Sequence, residues 1–389
     1  MNVAIVSYHG FASNSGGHIA CLANALVQKG VHVTVFVPFG SDATTLHGDA
    51  LYSCRLYSEL DDWLATAGGS PSRLLVIAWT PRENVRQFVG ELRSKVPCKY
   101  VVHLEDNENV VTSINLGVHR HQLERMSPEE LNERLSADSR LSHPHHFPQF
   151  IAESSGVTAL MDTLSLFAKP GQPFHVSWPG FNNRFFFPRA IDFTARRRLG
   201  IGDKEIVVTY TGNVHNANRR EVLSLYLAIL ILNRRGIPAR LIRTGDDYVP
   251  VLDDGLKEIR SHVIELGSVA TQSEVAHALS MANALVQPGR CDDFNDFRFP
   301  SKLPEFFAMG RPVLLPATNV GRFVRDRVDC IVLQRGDAAD IATNLEMIHA
   351  DPGLSAALSK NAVDFAQRHF RWDAIAEDYL LFLQTVAQS

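Results

Sequence analysis

Lys302 and Glu305 stand three positions apart at the start of a short helical stretch, where a cation, backbone amides and a carboxylate can meet one ligand. Pro300 and Ser301 close an irregular loop, residues 302–309 read as the helix, and Gly310 stops it ahead of a buried strand over 312–315. Free amides at a helix start attract phosphate, Lys302 adds charge, and Glu305 can accept two hydrogen bonds from a diol. A nucleotide joins phosphate to a ribose diol and suits such a place. A first-turn glutamate also opposes the macrodipole of any helix, so the segment alone leaves a plain capped helix open.

A second candidate set is Thr211-Gly-Asn-Val-His-Asn-Ala-Asn-Arg-Arg220, between an expected strand at 206–211 and a helix at 220–235. Polar groups at the carboxyl edge of a parallel sheet converge on ligands there. Arg219 and Arg220 are also readable as solvated residues at a helix start. In the first half, His103 ends the strand 100–103 and runs into Glu105 and Asp106. A histidine so placed can donate a hydrogen bond to a hydroxyl, accept one, or be tuned by a carboxylate, or it can be structural. Glu105 and Asp106 face either an acceptor or water. Gly16 and Gly17 open a helix and allow close approach of backbone to a phosphate or sugar. His119, His121, His143, His145 and His146 gather in one stretch, but no cysteine lies near and no zinc spacing is matched. They read as solvated loop histidines, and no metal site is expected.

The elements that must position these residues follow from apolar periodicity. An apolar run at 2–7 is followed by a helix with Ile19, Leu22, Ala23 and Leu26 on one face, and Gly30 ends it before a strand at 31–37. This is a βαβ unit. Strands at 74–79 and 100–103 flank a helix at 82–92. The Gly-x-Gly-x-x-Gly fingerprint is missing, which argues against a dinucleotide role for this half. Residues 112–150 loosen into polar helices, one opening on Ser127-Pro-Glu-Glu. The aromatic, Pro- and Gly-rich stretch 175–188 reads as a linker, after which come strands at 206–211, 239–244, 262–266 and 284–286, and helices at 220–235 and 272–281. A terminal amphipathic helix spans 373–388. The expectation is an α/β protein of two Rossmann-like halves: residues 1–180, with 112–150 as a helical elaboration, then 181–370, then a helix in 371–389.

With 389 residues, 45% apolar and 21% charged, the chain is long enough for two domains with separate cores. A net charge of −4 gives no electrostatic reason for nucleic acid as a partner. The five cysteines are scattered, which fits a reducing cytoplasm. The opening Met-Asn-Val-Ala-Ile-Val-Ser reads as a strand, so no signal peptide is expected, and no apolar run reaches the length of a membrane span.

Residues 300–313, Pro-Ser-Lys-Leu-Pro-Glu-Phe-Phe-Ala-Met-Gly-Arg-Pro-Val, resemble throughout the C-terminal-domain signature of retaining GT-B glycosyltransferases, especially family 4. The Gly-Gly pattern of 16–33 and the Pro-Gly-Phe-Asn…Phe-Phe-Pro hinge are similar to that family as well. The resemblance implies a GT-B fold with two Rossmann-like domains facing a cleft and a C-terminal helix crossing back to the first. It implies a metal-independent, hexosyltransferase-like enzyme with no cofactor. Its donor would be a UDP- or GDP-sugar and its acceptor a glycan, glycolipid or other hydroxyl compound, and peripheral membrane contact stays open. By the same resemblance Glu305 holds the ribose, and Ser301, Leu303, Gly212 and Asn213 line the nucleotide. Arg219 and Lys302 stabilise the leaving diphosphate, and Gly16, Gly17 and His103 approach the donor sugar. Two departures stand out. The usual arginine after the glycine is Asn213, with Arg219 for lysine six positions on, and the usual glutamate eight positions before Glu305 is Phe297, with Asp293 or Asp296 as a replacement. A sugar-nucleotide epimerase and a catalytically silent binding subunit are the competing readings.

Overall fold

The computed structural model describes residues 1–40, 50–66, 74–136, 138–252 and 257–388. It divides into two compact units, Met1–Gly180 with Phe297–Phe299 and Trp372–Ser389, and Phe181–Asp296 with Pro300–Arg371.

The first unit is built on a parallel sheet of order β3-β2-β1-β4-β5-β6-β7. Its strands are β1 (Asn2–Ser7), β2 (His32–Val37), β3 (Ser53–Leu56), β4 (Leu74–Trp79), β5 (Lys99–Leu104), β6 (Gly156–Ala159) and β7 (Phe174–Val176). Every residue of β4 is buried, as expected of a strand covered on both faces, and its unbroken apolar run made it legible. The register Ser7↔Trp79, Trp79↔His103, His103↔Thr158 and Thr158↔His175 lays one row of residues across the carboxyl end of five strands. The helix Asn14–Gln28 is capped by Ser13, whose side chain accepts from the Gly16 amide. Its Ile19, Leu22, Ala23 and Leu26 share a core with Val3 and Ile5 of β1. The terminal helix Trp372–Gln388 joins that same core through Ala376, Tyr379, Leu383 and Val386.

The second unit carries a parallel sheet of order β10-β9-β8-β11-β12-β13. Its strands are β8 (Ile206–Thr211), β9 (Ala239–Thr244), β10 (Val263–Glu265), β11 (Ala284–Val286), β12 (Val313–Pro316) and β13 (Ile331–Leu333). The helix Arg219–Arg234 buries Val222, Leu225, Tyr226, Ile229 and Leu232, a helical stripe that covers one sheet face. β3, β6, β7 and β13 escaped sequence reading. They are three or four residues long, and β3 and β7 are nowhere fully buried, so neither a long apolar run nor clean alternation marks them. Among the described residues no helix is long and apolar enough to cross a membrane.

Candidate functional site

In the second unit, the carboxyl ends of β8 and β9 and the helix Leu303–Ala308 come together around Gly212. Gly212 has φ 122°, and a Cβ there would stand 3.3 Å from both Cε and Nζ of Lys302, so the bare glycine lets the ammonium lie against the turn. Lys302 Nζ lies 4.6 Å from the Tyr210 ring centroid and 3.4 Å from its hydroxyl, contacts that hold a flexible side chain at the sheet edge. Gly245, at φ 102°, brings the loop after β9 against the same turn: a Cβ would meet the Gly212 carbonyl carbon and oxygen at 2.6 Å. Gly245→Ala is therefore expected to push the two loops apart and weaken nucleotide binding about tenfold or more, with melting lowered by a few degrees. Calorimetric titration and a melting curve on that variant check it.

Asn213 turns out to brace these loops. Its Oδ1 accepts from the Asp246 amide at 2.8 Å and its Nδ2 donates to the Tyr248 hydroxyl at 3.2 Å, so both ends of the amide are engaged. Arg219 begins the following helix and donates from Nε to the Pro250 carbonyl at 2.5 Å, which ties the helix start to the β9 loop. Glu305 is partly buried. Burial pushes its carboxyl up to about 8, with Lys302 opposing, so the free protein holds it largely neutral near pH 7.

Three expectations need correction. The helix at Leu303–Ala308 does not start with a row of open amides, because the Leu303 N–H already donates to the Pro300 carbonyl at 3.0 Å and Pro304 has none. Leu303 also points its side chain into the core, whereas Ser301, Lys302 and Glu305 stay partly exposed. Gly16 and Gly17 do not present open amides either, since their N–H groups donate to the Ser13 hydroxyl at 3.0 Å and the Ser13 carbonyl at 3.2 Å. A Cβ on Gly16 would stand 2.6 Å from the Phe11 Cα, so the glycine there is explained by its own chain. The third correction concerns His143, which is buried and stacks on His146 at 3.9 Å rather than facing solvent. His146 in turn contacts Glu83 at 3.3 Å. Among the described residues no cluster of three or more His, Cys, Asp or Glu side chains could hold a metal ion.

On the first unit, His103 lies in the row across the sheet and is 1% exposed. Its ring packs on Trp79 with centroids 4.0 Å apart, and Nδ1 lies 2.9 Å from the Thr158 hydroxyl. Burial drives its pKa down to about 4 against the pull of Glu105, so the ring is neutral. Glu105 does not face water. It accepts from the Ser15 hydroxyl, from Trp79 Nε1 at 3.0 Å, and contacts His18 Nδ1 at 3.3 Å. Burial raises its pKa, but the His18 contact and the Ser15 bond outweigh it and hold the carboxyl down at about 2. Burial together with Glu105 and Glu108 pushes Asp106 up to about 7. Arg82 stacks on Tyr8 at 4.0 Å and approaches Glu108 at 3.6 Å. Sequence reading missed Ser15, His18, Trp79 and Arg82. Only the strand register, which no local pattern reveals, aligns Trp79 with His103. Near Phe297, Asp293 is exposed, whereas Asp296 accepts from the Thr318 hydroxyl.

Two doubly wound parallel sheets in one chain, each read at its carboxyl edge, are the GT-B fold of glycosyltransferases. Sucrose-phosphate synthase from Thermosynechococcus elongatus superposes with TM-score 0.69 at 20% identity, covering 100% of both chains. Anabaena HepE in complex with UDP and glucose superposes with TM-score 0.68 at 14% identity, covering 99% of both. Residues 205–351 match the model of the glycosyl transferases group 1 family. D-inositol 3-phosphate glycosyltransferase from Thermobispora bispora is 30% identical over 232 residues, 57% of this chain and 52% of the relative. The enzyme of the same name from Streptomyces bingchenggensis is 29% identical over 216 residues, 51% and 44% respectively. The chain thus spans about half the length of the curated relatives it matches.

Proposed function

We propose that the chain is a retaining glycosyltransferase that moves a sugar from a nucleoside diphosphate to a hydroxyl acceptor in glycan, polysaccharide or glycolipid synthesis. The observation that carries this reading is Lys302 Nζ held against the Gly212 turn, with Glu305 in the following helical turn. Cleavage of a sugar–diphosphate bond builds negative charge on the departing oxygen, and a fixed cation stabilises that charge without rearrangement. Lys302 and Arg219 supply it, while Glu305, once ionised, accepts from the ribose hydroxyls. The sugar passes through an oxocarbenium-like state, the acceptor oxygen bonds to the anomeric carbon, and its proton leaves with the diphosphate oxygen. His103 donates to a donor-sugar hydroxyl. Lysine and arginine meet the charge, so the reaction is assigned no metal.

The named activity of the curated relatives and the UDP and UDP-glucose complexes of Anabaena HepE support a nucleotide-sugar donor, with uridine the base to try first. Five unbridged cysteines suit a reducing cytoplasm. Asn213 and Phe297, where the family has a cation and an acid, favour the second reading, a silent sugar-nucleotide-binding subunit.

Product analysis with UDP- and GDP-sugars separates the readings. Sugar transferred to an acceptor is expected, and it should persist in excess chelator. Isomerised nucleotide sugar without acceptor identifies an epimerase, binding without turnover a silent subunit, and transfer abolished by chelator removes the metal-free mechanism.

A further inference from the structure

A hydrogen-bond chain runs from the terminal helix to the row across the first sheet. The Tyr379 hydroxyl lies 2.9 Å from Thr158 Oγ1, and Thr158 Oγ1 lies 2.9 Å from His103 Nδ1. All three side chains are buried, with 0%, 0% and 1% of their surface exposed. His103 Nε2 is also buried and has no hydrogen-bond partner.

The direction of the chain can be settled by counting hydrogens. A neutral imidazole has one N–H, the threonine one O–H and the tyrosine one O–H. If Tyr379 donates to Thr158 and Thr158 donates to Nδ1, every group in the chain is satisfied and the only one left over is the N–H at Nε2. If Nδ1 carries the hydrogen, either the phenol or the threonine hydroxyl must keep a buried hydrogen with no acceptor, and Nε2 is left over as well. Each unsatisfied buried group carries a desolvation cost, so the first arrangement prevails. We propose that Thr158, its hydroxyl turned by the Tyr379 phenol, is a positioning residue that fixes His103 in the Nε2–H tautomer, so that the histidine meets its ligand as a hydrogen-bond donor and never as a base. This rests on the reading of His103 as the residue facing the donor sugar, and specifies the state in which it does so. Its ligand is then an oxygen with a free lone pair, as a sugar hydroxyl has.

The test is nitrogen NMR of protein labelled in its histidines, read through two-bond couplings that distinguish a protonated ring nitrogen from a bare one. Among sixteen histidines, the His103→Gln spectrum identifies the signal that belongs to position 103. The wild type should show a protonated Nε2 and a bare Nδ1. Thr158→Val keeps the shape but removes the hydroxyl that donates to Nδ1, and should let the ring take up the other tautomer in part. It should lower kcat about tenfold and leave nucleoside diphosphate affinity unchanged. Thr158→Ser should restore both readouts, and Tyr379→Phe, which leaves the threonine hydrogen free to reach Nδ1, should keep the Nε2–H form. A protonated Nδ1 in the wild type overturns the proposal, as does a Thr158→Val protein with unaltered tautomer and turnover. The nitrogen signals need no turnover. A protein that binds nucleotide sugar without transferring it, yet shows the Nε2–H form and loses it in Thr158→Val, upholds the relay while removing the transferase reading.

Discussion

His103→Ala is expected to lower sugar transfer about a hundredfold or more, while affinity for nucleoside diphosphate stays within about twofold. Loss of one aligned donor to the reacting substrate has this scale, and its signature is a fall in kcat without a matching change in nucleotide binding. The nucleotide contacts assigned to Lys302, Arg219 and Glu305 lie in the other unit, which is why affinity should survive. Stability alone cannot discriminate here. His103 is buried against Trp79, so its truncation leaves a cavity and lowers the melting temperature whether or not the ring touches substrate. The deciding measurement is kcat per folded molecule, taken well below the variant's melting point. Wild-type turnover in the folded fraction would remove His103 from the site, and the nucleotide argument would stand on its own residues.

Glu305→Gln is expected to weaken nucleotide-sugar binding by about 1.5–3 kcal/mol, roughly tenfold to a hundredfold, because an amide cannot give charge-assisted acceptance to two ribose hydroxyls. The pH profile sharpens this. Burial places Glu305 up at about 8 in the free protein, and ligand selects the ionised form. Wild-type affinity should therefore rise with pH, by as much as tenfold per unit below about 8, and level off above it. The Gln variant should lack that slope. A nucleotide sugar is the right probe, since its diphosphate is a diester and does not titrate in this range. The sign for stability is opposite. A carboxyl whose folded pKa is raised carries a penalty that is absent below its unfolded value, grows between about 4.5 and 8, and is full above. At pH 8 the Gln variant should melt at or above the wild type. Equal pH slopes in the two proteins would sink the assignment.

Lys302 and Glu305 were legible because their chemistry lies within one turn of chain, and the strand β4 because its apolar run is unbroken. The rest of the site depends on contacts that sequence distance hides. Tyr379 and Thr158 are 221 positions apart, and Thr158 and His103 are 55 apart, so the histidine could be picked out but not its state. Gly212 could be flagged as a turn, yet the reason for its bare Cα, the Lys302 ammonium 90 residues away, appears only in space. Some residues carried the right identity for another cause. Gly16 answers to the Phe11 backbone, and Arg311, inside the signature, donates to the Ala282, Ser280 and Arg189 carbonyls and so holds the second unit together.

The terminal helix has a consequence for synthesis. The first sheet forms from the earliest residues, but the core beside it stays open until Ala376, Tyr379, Leu383 and Val386 arrive, almost a whole chain later. During translation the growing N-terminal half must therefore wait with apolar surface uncovered, while residues 181–371 complete their own sheet in the interval. A severed fragment of residues 1–180 should be aggregation-prone unless a peptide carrying residues 372–388 is supplied with it, whereas the later half should tolerate separation far better.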